Sequence, residues 1–161
     1  MSVKAIPEGY RTVTPYLFIH KAAEAIEFYK EAFGATELFR MQGPDGRIMH
    51  SEIQIGDSRI MMADECPTMG ARSPHTLGGS TGSLMLYVED VDARFNQAVA
   101  AGAVVKQPVA DQFYGDRSGS LEDPFGHAWH IATHKEDVPP EEMHARAEEA
   151  MKRMSPECVE A

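Results

Sequence analysis

The chain has 161 residues, of which 43% are hydrophobic, and its 15 Lys plus Arg are outnumbered by 25 Asp plus Glu, giving a net charge of −10. That length fits one domain or two small fused modules. The negative charge repels phosphate backbones and anionic lipids, which argues against binding to nucleic acid or to a membrane surface. No apolar run approaches the roughly 20 residues that a membrane helix needs.

The start of the chain and the use of cysteine predict a cytoplasmic protein. Met1 to Lys4 is followed by no long apolar region, which argues against a secretory signal. The two cysteines, Cys66 and Cys158, lie far apart and form no CxxC motif. A reducing compartment is the simplest interpretation of this pattern.

The first half of the chain predicts the element order β-α-β-β-β. Residues 12–19 are rich in β-branched and aromatic side chains, which is typical of a strand. Residues 22–33 place apolar side chains at helical spacing and are followed by Gly34, a residue that often ends helices. Turn residues then separate three further predicted strands, at 37–42, 48–55 and 59–64.

The same order is predicted a second time after a stretch rich in Gly, Pro, Ser and Thr. A strand at 83–89 precedes a helix at 91–101, which Asp90 is placed to cap. Further strands are predicted at 104–109, 116–122 and 128–133. A shift of about 69 residues superimposes the two halves. The alternative is an ordinary α+β sandwich whose halves look alike by chance.

These patterns divide the chain into four parts. We predict a first βαβββ module at 10–65, a linker loop at 66–82, a second module at 83–136, and a C-terminal helix and tail at 137–161. The helix carries a stripe formed by Met143, Ala147, Met151 and Met154. Such a stripe predicts packing on the body of the protein or on a partner subunit.

A family resemblance is carried mainly by four segments of the second half: Tyr87-Val88-Glu89-Asp90-Val91-Asp92, Ala101-Gly102-Ala103, Phe113-Tyr114-Gly115-Asp116-Arg117 and Asp123-Pro124-Phe125-Gly126-His127. Over about residues 10 to 136 the chain resembles the vicinal-oxygen-chelate (VOC) superfamily, and within it the PhnB-like branch. The resemblance implies an α+β glyoxalase/bleomycin-resistance fold, in which two tandem βαβββ modules form an open, cupped mixed β-sheet. It also implies ligand sites inside the cups and a homodimer. It does not fix the chemistry.

Strand alternation predicts which side chains face the cup. Leu17, Ile19, Ile53 and Ile55 should pack on the helix layer of the first module, and Trp129 should do so in the second. The side chains left to line the cup are Tyr16, Phe18, His50, Glu52, Met85, Tyr87 and His130. An aromatic wall with a few polar groups is typical of small-molecule sites.

Two residues of the Tyr114-Gly115-Asp116-Arg117 segment are further ligand-binding candidates. Arg117 could clamp an anionic group with its planar guanidinium, or it could pair with Asp116 or Asp123. Tyr114 could stack on a ligand or close the cup mouth, or it could pack in the core. The residues alone leave these alternatives open.

The resemblance also indicates which residues could bind a metal ion. Metal-dependent members of the superfamily take ligands from the first and last strands of each module, and the matching positions here are Thr14, about Met61, Ser83 and His130. Only His130 is a good ligand for a divalent ion, which argues against glyoxalase I-type chemistry. A different set, His50, Glu52 and His130, would suit zinc, iron or manganese. The alternative is an ordinary hydrogen-bonded polar patch.

The residues therefore support two functional hypotheses. The first is a metal-independent binder of a small molecule, of the bleomycin-resistance type, acting by sequestration or as a sensor or carrier. The second is a VOC enzyme, a lyase, isomerase or dioxygenase, in which a divalent ion held by His50, Glu52 and His130 polarises substrate oxygens. A purely structural module is a weaker third hypothesis, because polar groups inside a cup are costly to keep.

Overall fold

The computed structural model describes residues 3–153, so Met154 of the predicted helical stripe and Cys158 lie outside the described residues. The first module contains helix α1 and four strands: β1 (Tyr16–Ile19), α1 (Ala22–Phe33), β2 (Thr36–Gln42), β3 (Ile48–Ile55) and β4 (Ser58–Asp64). The second module repeats this order: β5 (Ser83–Tyr87), α3 (Val91–Ala101), β6 (Val104–Asp111), β7 (Asp116–Glu122) and β8 (Ala128–His134). The predicted α+β fold of two βαβββ modules is confirmed.

The modules form two four-stranded mixed sheets, with strand orders β1-β4-β3-β2 and β5-β8-β7-β6. In each sheet the first strand runs parallel to the last strand of its module. The registers match as well, because Tyr16 pairs with Met61 in one sheet and Met85 pairs with His130 in the other. The residue numbers of both partners are 69 higher in the second sheet than in the first. The predicted shift of about 69 residues therefore describes the repeat in these strands.

Strand β1 is shorter than the pattern predicted. Proline has no amide hydrogen to donate to a ladder, so Pro15 is suited to the start of the strand rather than to its middle. Its carbonyl still accepts a hydrogen bond from the Met61 amide at 2.9 Å. Residues before it therefore leave the sheet and remain available to fold over its surface.

The two modules share an aromatic core beneath helix α1. Phe33 and Tyr29 on α1 lie with their ring centroids 4.5 and 5.4 Å from that of Trp129 on β8. Phe28 meets Phe125 edge-on at 6.0 Å. These side chains are all buried. Because α1 belongs to the first module and the other two rings to the second, this packing joins the modules.

A buried carboxylate reinforces the same junction. Asp123 accepts hydrogen bonds from the Tyr29 hydroxyl at 2.8 Å and the Trp129 indole at 2.9 Å. Its other oxygen accepts from the backbone amides of Phe125 and His127, both at 2.9 Å. Burial and the Asp123 carboxylate together raise the pKa of Tyr29 well above its ordinary value. Asp123 therefore fixes its own turn and also links that turn to α1.

The linker between the modules contains regular structure. It includes a 3₁₀ turn at Pro67–Met69 and a one-turn helix, α2, at Pro74–Leu77. Ser73 caps α2, since its hydroxyl accepts a hydrogen bond from the Thr76 amide at 3.4 Å. Proline directly after a serine cap is a favourable start for a helix, which explains why this loop-like composition still forms a turn of helix.

The C-terminal helix is α4 (Pro140–Arg153), and no residue of it is buried. The predicted stripe is therefore not packed in the core, and the Met151 side chain is 68% exposed. Arg146 ties the helix to the preceding segment through two contacts with Glu136, at 2.8 and 2.7 Å. Among residues 3–153, no helix combines the length and the apolar character that a membrane crossing requires.

Candidate functional site

Each sheet has one face covered by helices and one helix-free face. The predicted alternation is confirmed, since Ile53 is fully buried and Trp129 is only 2% exposed on the covered side. On the helix-free side, Tyr16 is 42% and Tyr87 is 60% exposed. Large side chains that remain half-exposed on one face of a sheet mark it as a surface available for contact.

The helix-free face of the first sheet brings four of the predicted residues together. Tyr16 lies between Phe18 and His50, with ring centroids 5.2 and 5.7 Å away. Phe39 extends the aromatic surface, 6.1 Å from the His50 ring, although sequence reasoning did not select it. Glu52 is next to His50, with its Oε1 atom 3.3 Å from Nε2.

These side chains form a hydrogen-bonded chain. A carboxylate can only accept, so His50 donates to Glu52 through Nε2. In the neutral imidazole, Nδ1 is then an acceptor, and the Tyr16 hydroxyl lies 3.0 Å from it. Burial raises the pKa of Tyr16, which keeps the phenol protonated and able to donate. The chain therefore fixes the orientation of a half-exposed phenol and a partly covered carboxylate.

Tyr10, in the segment that precedes β1, reaches the same carboxylate. Its hydroxyl donates a hydrogen bond to Glu52, and the Arg59 guanidinium lies 4.5 Å from the centroid of its ring. The Tyr10 hydrogen bond is the largest cause that lowers the pKa of Glu52, with His50 and Arg59 adding to it. Burial and the same carboxylate raise the pKa of Tyr10. Glu52 is thus ionised and holds a phenol ring from its own chain.

Sequence reasoning missed both Tyr10 and Arg59. The strand register could have found Arg59, because it pairs with Gln54 across the β3–β4 hairpin and so shares a face with Glu52. Tyr10 lies outside every strand and helix. No spacing rule connects such a residue to a partner that is 42 positions away.

The helix-free face of the second sheet holds the other predicted residues except Arg117. Met85 pairs with His130 across β5 and β8, and Met85 is 49% exposed. The Tyr87 hydroxyl donates to Asp116 at 2.8 Å, an interaction that raises the pKa of Tyr87. The Tyr114 hydroxyl lies 3.3 Å from that of Ser118 at the end of this face.

Arg117 is not brought to either helix-free face. Its guanidinium makes a bidentate contact with Asp92 near the start of α3, both distances being 2.8 Å. It also reaches Asp111 at 3.2 Å. The arginine pairs with acids, as one alternative held, but these are not the two acids that the sequence suggested. A side chain engaged in this way fastens β7 to α3.

Two cavities lie where the edges of the two sheets approach each other. The hairpin cavity, of about 430 Å³, is formed by the β3–β4 turn of the first module together with residues 84–87 of β5. The loop cavity, also about 430 Å³, is formed by residues 15–18, residues 127–128 at the β7–β8 turn, and the linker segment 72–83. Each thus combines a turn of one module with the first strand of the other. Their volumes suit small molecules.

Glu65 holds the linker segment of the loop cavity in place. Its carboxylate accepts hydrogen bonds from the Thr76 hydroxyl at 2.6 Å and the Ser73 amide at 2.9 Å. His20 adds a contact at 3.2 Å. The Thr76 bond is the largest of the interactions that lower the pKa of Glu65 to about 2.

This lowered pKa predicts an acid-dependent contribution to stability. The carboxylate stabilises the folded chain above its unfolded pKa, near 4.5, and this stabilisation is lost as the pH falls through about 2. We expect Glu65→Gln to cost about 1–2 kcal/mol at pH 7 and progressively less below pH 4.5. Urea unfolding at a series of pH values measures this. An equal cost at all pH values would contradict the assignment.

Comparison with known proteins supplies a family. A model of the Glyoxalase/Bleomycin resistance protein/Dioxygenase superfamily matches residues 12–131. The chain belongs to this superfamily. A Mycobacterium tuberculosis protein described as uncharacterized is 42% identical over 136 residues, covering 83% of this chain and 80% of the relative.

Solved structures agree with this membership. A gene product from Arabidopsis thaliana is 28% identical, with a TM-score of 0.62, and the match covers 76% of this chain and 98% of that one. The PhnB protein from Bacillus cereus matches with a TM-score of 0.60 over 76% of this chain and 99% of its own. At 20% identity, that second likeness supports the fold alone.

The donor set does not fit the metal arrangement expected of metal-dependent members of the superfamily. The positions expected to supply ligands hold Met61 and the hydroxyl residues Thr14 and Ser83 beside His130, and Thr14 precedes β1. Across residues 3–153, no three His, Cys, Asp or Glu side chains are grouped so that they could hold an ion. His50 and Glu52 do meet, but His130 belongs to the second sheet. The three residues of the alternative set are therefore not assembled within one chain.

Proposed function

We propose that this glyoxalase-superfamily protein binds a small molecule on its helix-free faces without the superfamily's usual metal ligands. We further propose that the first sheet prefers an aromatic ring that bears a hydroxyl group. The observation that carries this proposal is the position of the Tyr10 ring. Its hydroxyl is held by Glu52 and its ring by Arg59, so the face already accommodates a phenol.

The contacts to Tyr10 have the chemistry of ligand recognition. An ionised carboxylate accepts a strong hydrogen bond from a phenol, and a guanidinium over an aromatic ring adds about 0.5–2 kcal/mol. The hydroxyl of Tyr16, oriented by His50, offers a further polar contact beside them. Apolar side chains of Phe18 and Phe39 complete a surface that suits a flat ring.

The segment that carries Tyr10 is weakly held. Residues 3–9 are exposed throughout, and the ion pair between Arg11 and Asp57 that follows Tyr10 is exposed as well. A segment with so little buried surface opens at low free-energy cost. A phenolic ligand can therefore replace Tyr10, and Tyr10 acts as a competitor within the chain.

Titration with 2-naphthol, followed by its fluorescence, tests this proposal. We expect Tyr10→Ala to bind 2-naphthol about ten-fold more tightly than the unmodified protein, because the competing ring is removed. Adding Glu52→Gln to that variant should abolish the gain. The matched control is Phe113→Ala, which removes a half-exposed ring outside this face and should leave the affinity unchanged. Equal affinities for the unmodified protein and Tyr10→Ala would overturn the proposal.

The alternative of a lyase, isomerase or dioxygenase that uses zinc, iron or manganese has weaker support. It is favoured by the contact between His50 and Glu52, since a histidine and a carboxylate at this spacing are suitable ligands. It lacks a third ligand close to them in the described chain. The binding proposal needs no such ligand.

Assembly and location are proposed on related grounds. Phe39, Met41 and Met49 are about half-exposed on the first sheet, as are Met85 and Tyr87 on the second, and a second copy of the chain could cover them. We therefore propose a homodimer. The Tyr-Gly-Asp-Arg and Asp-Pro-Phe-Gly segments support the PhnB-like branch. The widely separated Cys66 and Cys158 support a cytoplasmic protein, and the negative net charge argues against nucleic-acid or membrane partners.

A further inference from the structure

The lining of the loop cavity does not share the negative charge of the chain as a whole. The chain as a whole carries a net charge of −10, yet no aspartate or glutamate lines this cavity. Its walls are mainly apolar and include Phe18, Leu77 and Leu84, while its one permanently charged lining residue is Arg72. An apolar hollow with a single cation is suited to a ligand of opposite charge.

Arg72 is the unpaired arginine within residues 3–153. It makes no hydrogen bond and no ion pair to any side chain or carbonyl described. Every other arginine in that range has such a partner: Arg11, Arg40, Arg47, Arg59, Arg94, Arg117, Arg146 and Arg153. In a protein with an excess of carboxylates, an unpaired guanidinium beside a cavity is available to a ligand.

The hairpin cavity provides an internal comparison. It has a similar volume and occupies the corresponding place in the repeated architecture, and it has two arginines in its wall, Arg11 and Arg59. Arg11 is already paired with Asp57, which lines the same cavity, at 3.1 Å, and Arg59 is paired with Glu52 at 4.0 Å. The two cavities therefore differ in the property that matters for an anion, because only the loop cavity leaves its guanidinium free within the described chain.

A second polar group in the wall also lacks a partner. His127 is 8% exposed and lines the loop cavity, and its buried Nε2 atom meets no described atom in hydrogen-bonding geometry, although the backbone of Phe18 lies beside the ring. Burial lowers the pKa of His127, against the opposing effect of Asp123. A buried polar atom without a partner is costly, and a ligand that reached it would relieve that cost.

The backbone on both sides of Arg72 is fixed. Ala71 forms a two-way bridge with Cys66, with N···O distances of 2.7 and 3.2 Å. Ser73, on the other side, donates its amide to Glu65. The exposed arginine is therefore carried by an ordered stretch of backbone, which reduces the entropy lost when it engages a ligand.

From these observations we propose that the loop cavity binds a small organic anion, with an apolar body against Phe18, Leu77 and Leu84 and a carboxylate or similar group at Arg72. This site goes beyond the phenol site proposed for the first sheet. The two share the β1 residues Tyr16 and Phe18, but their polar groups are different. Glu52 and Arg59 serve one, and Arg72 and His127 serve the other.

The probe for this site is 4-fluorobenzoate, observed by fluorine NMR and quantified by calorimetric titration. We expect Arg72→Gln to weaken its binding at least ten-fold, because the charged hydrogen bonds to the carboxylate are lost. Arg72→Lys should retain part of the affinity, since it keeps the charge without the planar fork. The neutral analogue 4-fluorobenzyl alcohol should bind weakly and should not distinguish these variants.

Arg153→Gln is the matched control, because it removes the same charge from α4, far along the chain from the cavity. Its affinity for 4-fluorobenzoate should equal that of the unmodified protein. The proposal is overturned if Arg72→Gln binds the anion as well as the unmodified protein does, or if the unmodified protein binds neither probe. It also fails if inorganic phosphate displaces 4-fluorobenzoate at equal concentration, since the apolar wall would then contribute nothing. None of these outcomes depends on 2-naphthol binding.

Discussion

Replacing Asp123 with alanine should lower the free energy of unfolding by about 3–5 kcal/mol. The carboxylate is buried and accepts from the Tyr29 hydroxyl, the Trp129 indole and two backbone amides. Alanine would leave these donors without a partner, and each unsatisfied buried donor costs about 1–3 kcal/mol. Water that enters the site would satisfy some of these donors, so the expected total cost is smaller than the sum of four separate penalties.

Urea unfolding followed by circular dichroism and by the fluorescence of Trp129, the single tryptophan, measures this effect. Tyr29→Phe removes one donor only and should cost about 1 kcal/mol. Asp57→Ala is the matched control, because that carboxylate is 78% exposed and its partners are the exposed Arg11 and the adjacent Ser58. It should leave the stability almost unchanged. A loss below about 1 kcal/mol for Asp123→Ala would show that the junction does not depend on this carboxylate.

Replacing Gly115 with alanine should cost about 2–4 kcal/mol. Gly115 has a φ of +96°, and a Cβ atom placed there would lie 2.2 Å from the carbonyl oxygen of Glu136. That neighbour cannot simply move, because the amides of Lys135 and Glu136 both donate to the Gly115 carbonyl, at 2.9 and 3.0 Å. The substitution therefore combines an unfavourable backbone angle with a clash between backbones.

A glycine with the same backbone strain but free space separates these two effects. Gly78 has a φ of +79°, and a Cβ atom there would meet nothing within 4 Å. Gly78→Ala should therefore cost only the strain of about 1–2 kcal/mol. Thermal unfolding of both variants makes the comparison. If Gly115→Ala lowers the stability no more than Gly78→Ala does, the contact with Glu136 does not destabilise the variant.

The fold was largely predictable from local patterns, and the reasons are physical. Helix α1 ends where Gly34 takes up a left-handed conformation, with φ 68°, and α3 begins where Asp90 accepts a hydrogen bond from the Ala93 amide. Both signals lie within a few residues of the position they determine. The alternation of apolar and polar residues was equally informative, because apolar residues at every second position indicate which face of a strand is buried.

The site was predictable only in part, because its decisive contacts join distant residues. Alternation placed Tyr16, Phe18, His50 and Glu52 on one face, and the structure groups them there. Alternation could not place a residue from an irregular segment such as Tyr10. Local spacing was also misleading for Arg117, since its acidic partner Asp92 lies on a helix 25 positions earlier. The ligand-binding roles remain predictions for the experiments described above.

The repeat has a consequence for how a bound molecule would be oriented. Glu52 pairs with Met61 on the first sheet, whereas Ser120 pairs with His130 at the equivalent place on the second. The same backbone arrangement thus presents a carboxylate in one copy and a hydroxyl beside an imidazole in the other. A ligand that spanned both copies would meet unlike ends and would have a single favoured direction, so the duplicated scaffold distinguishes head from tail.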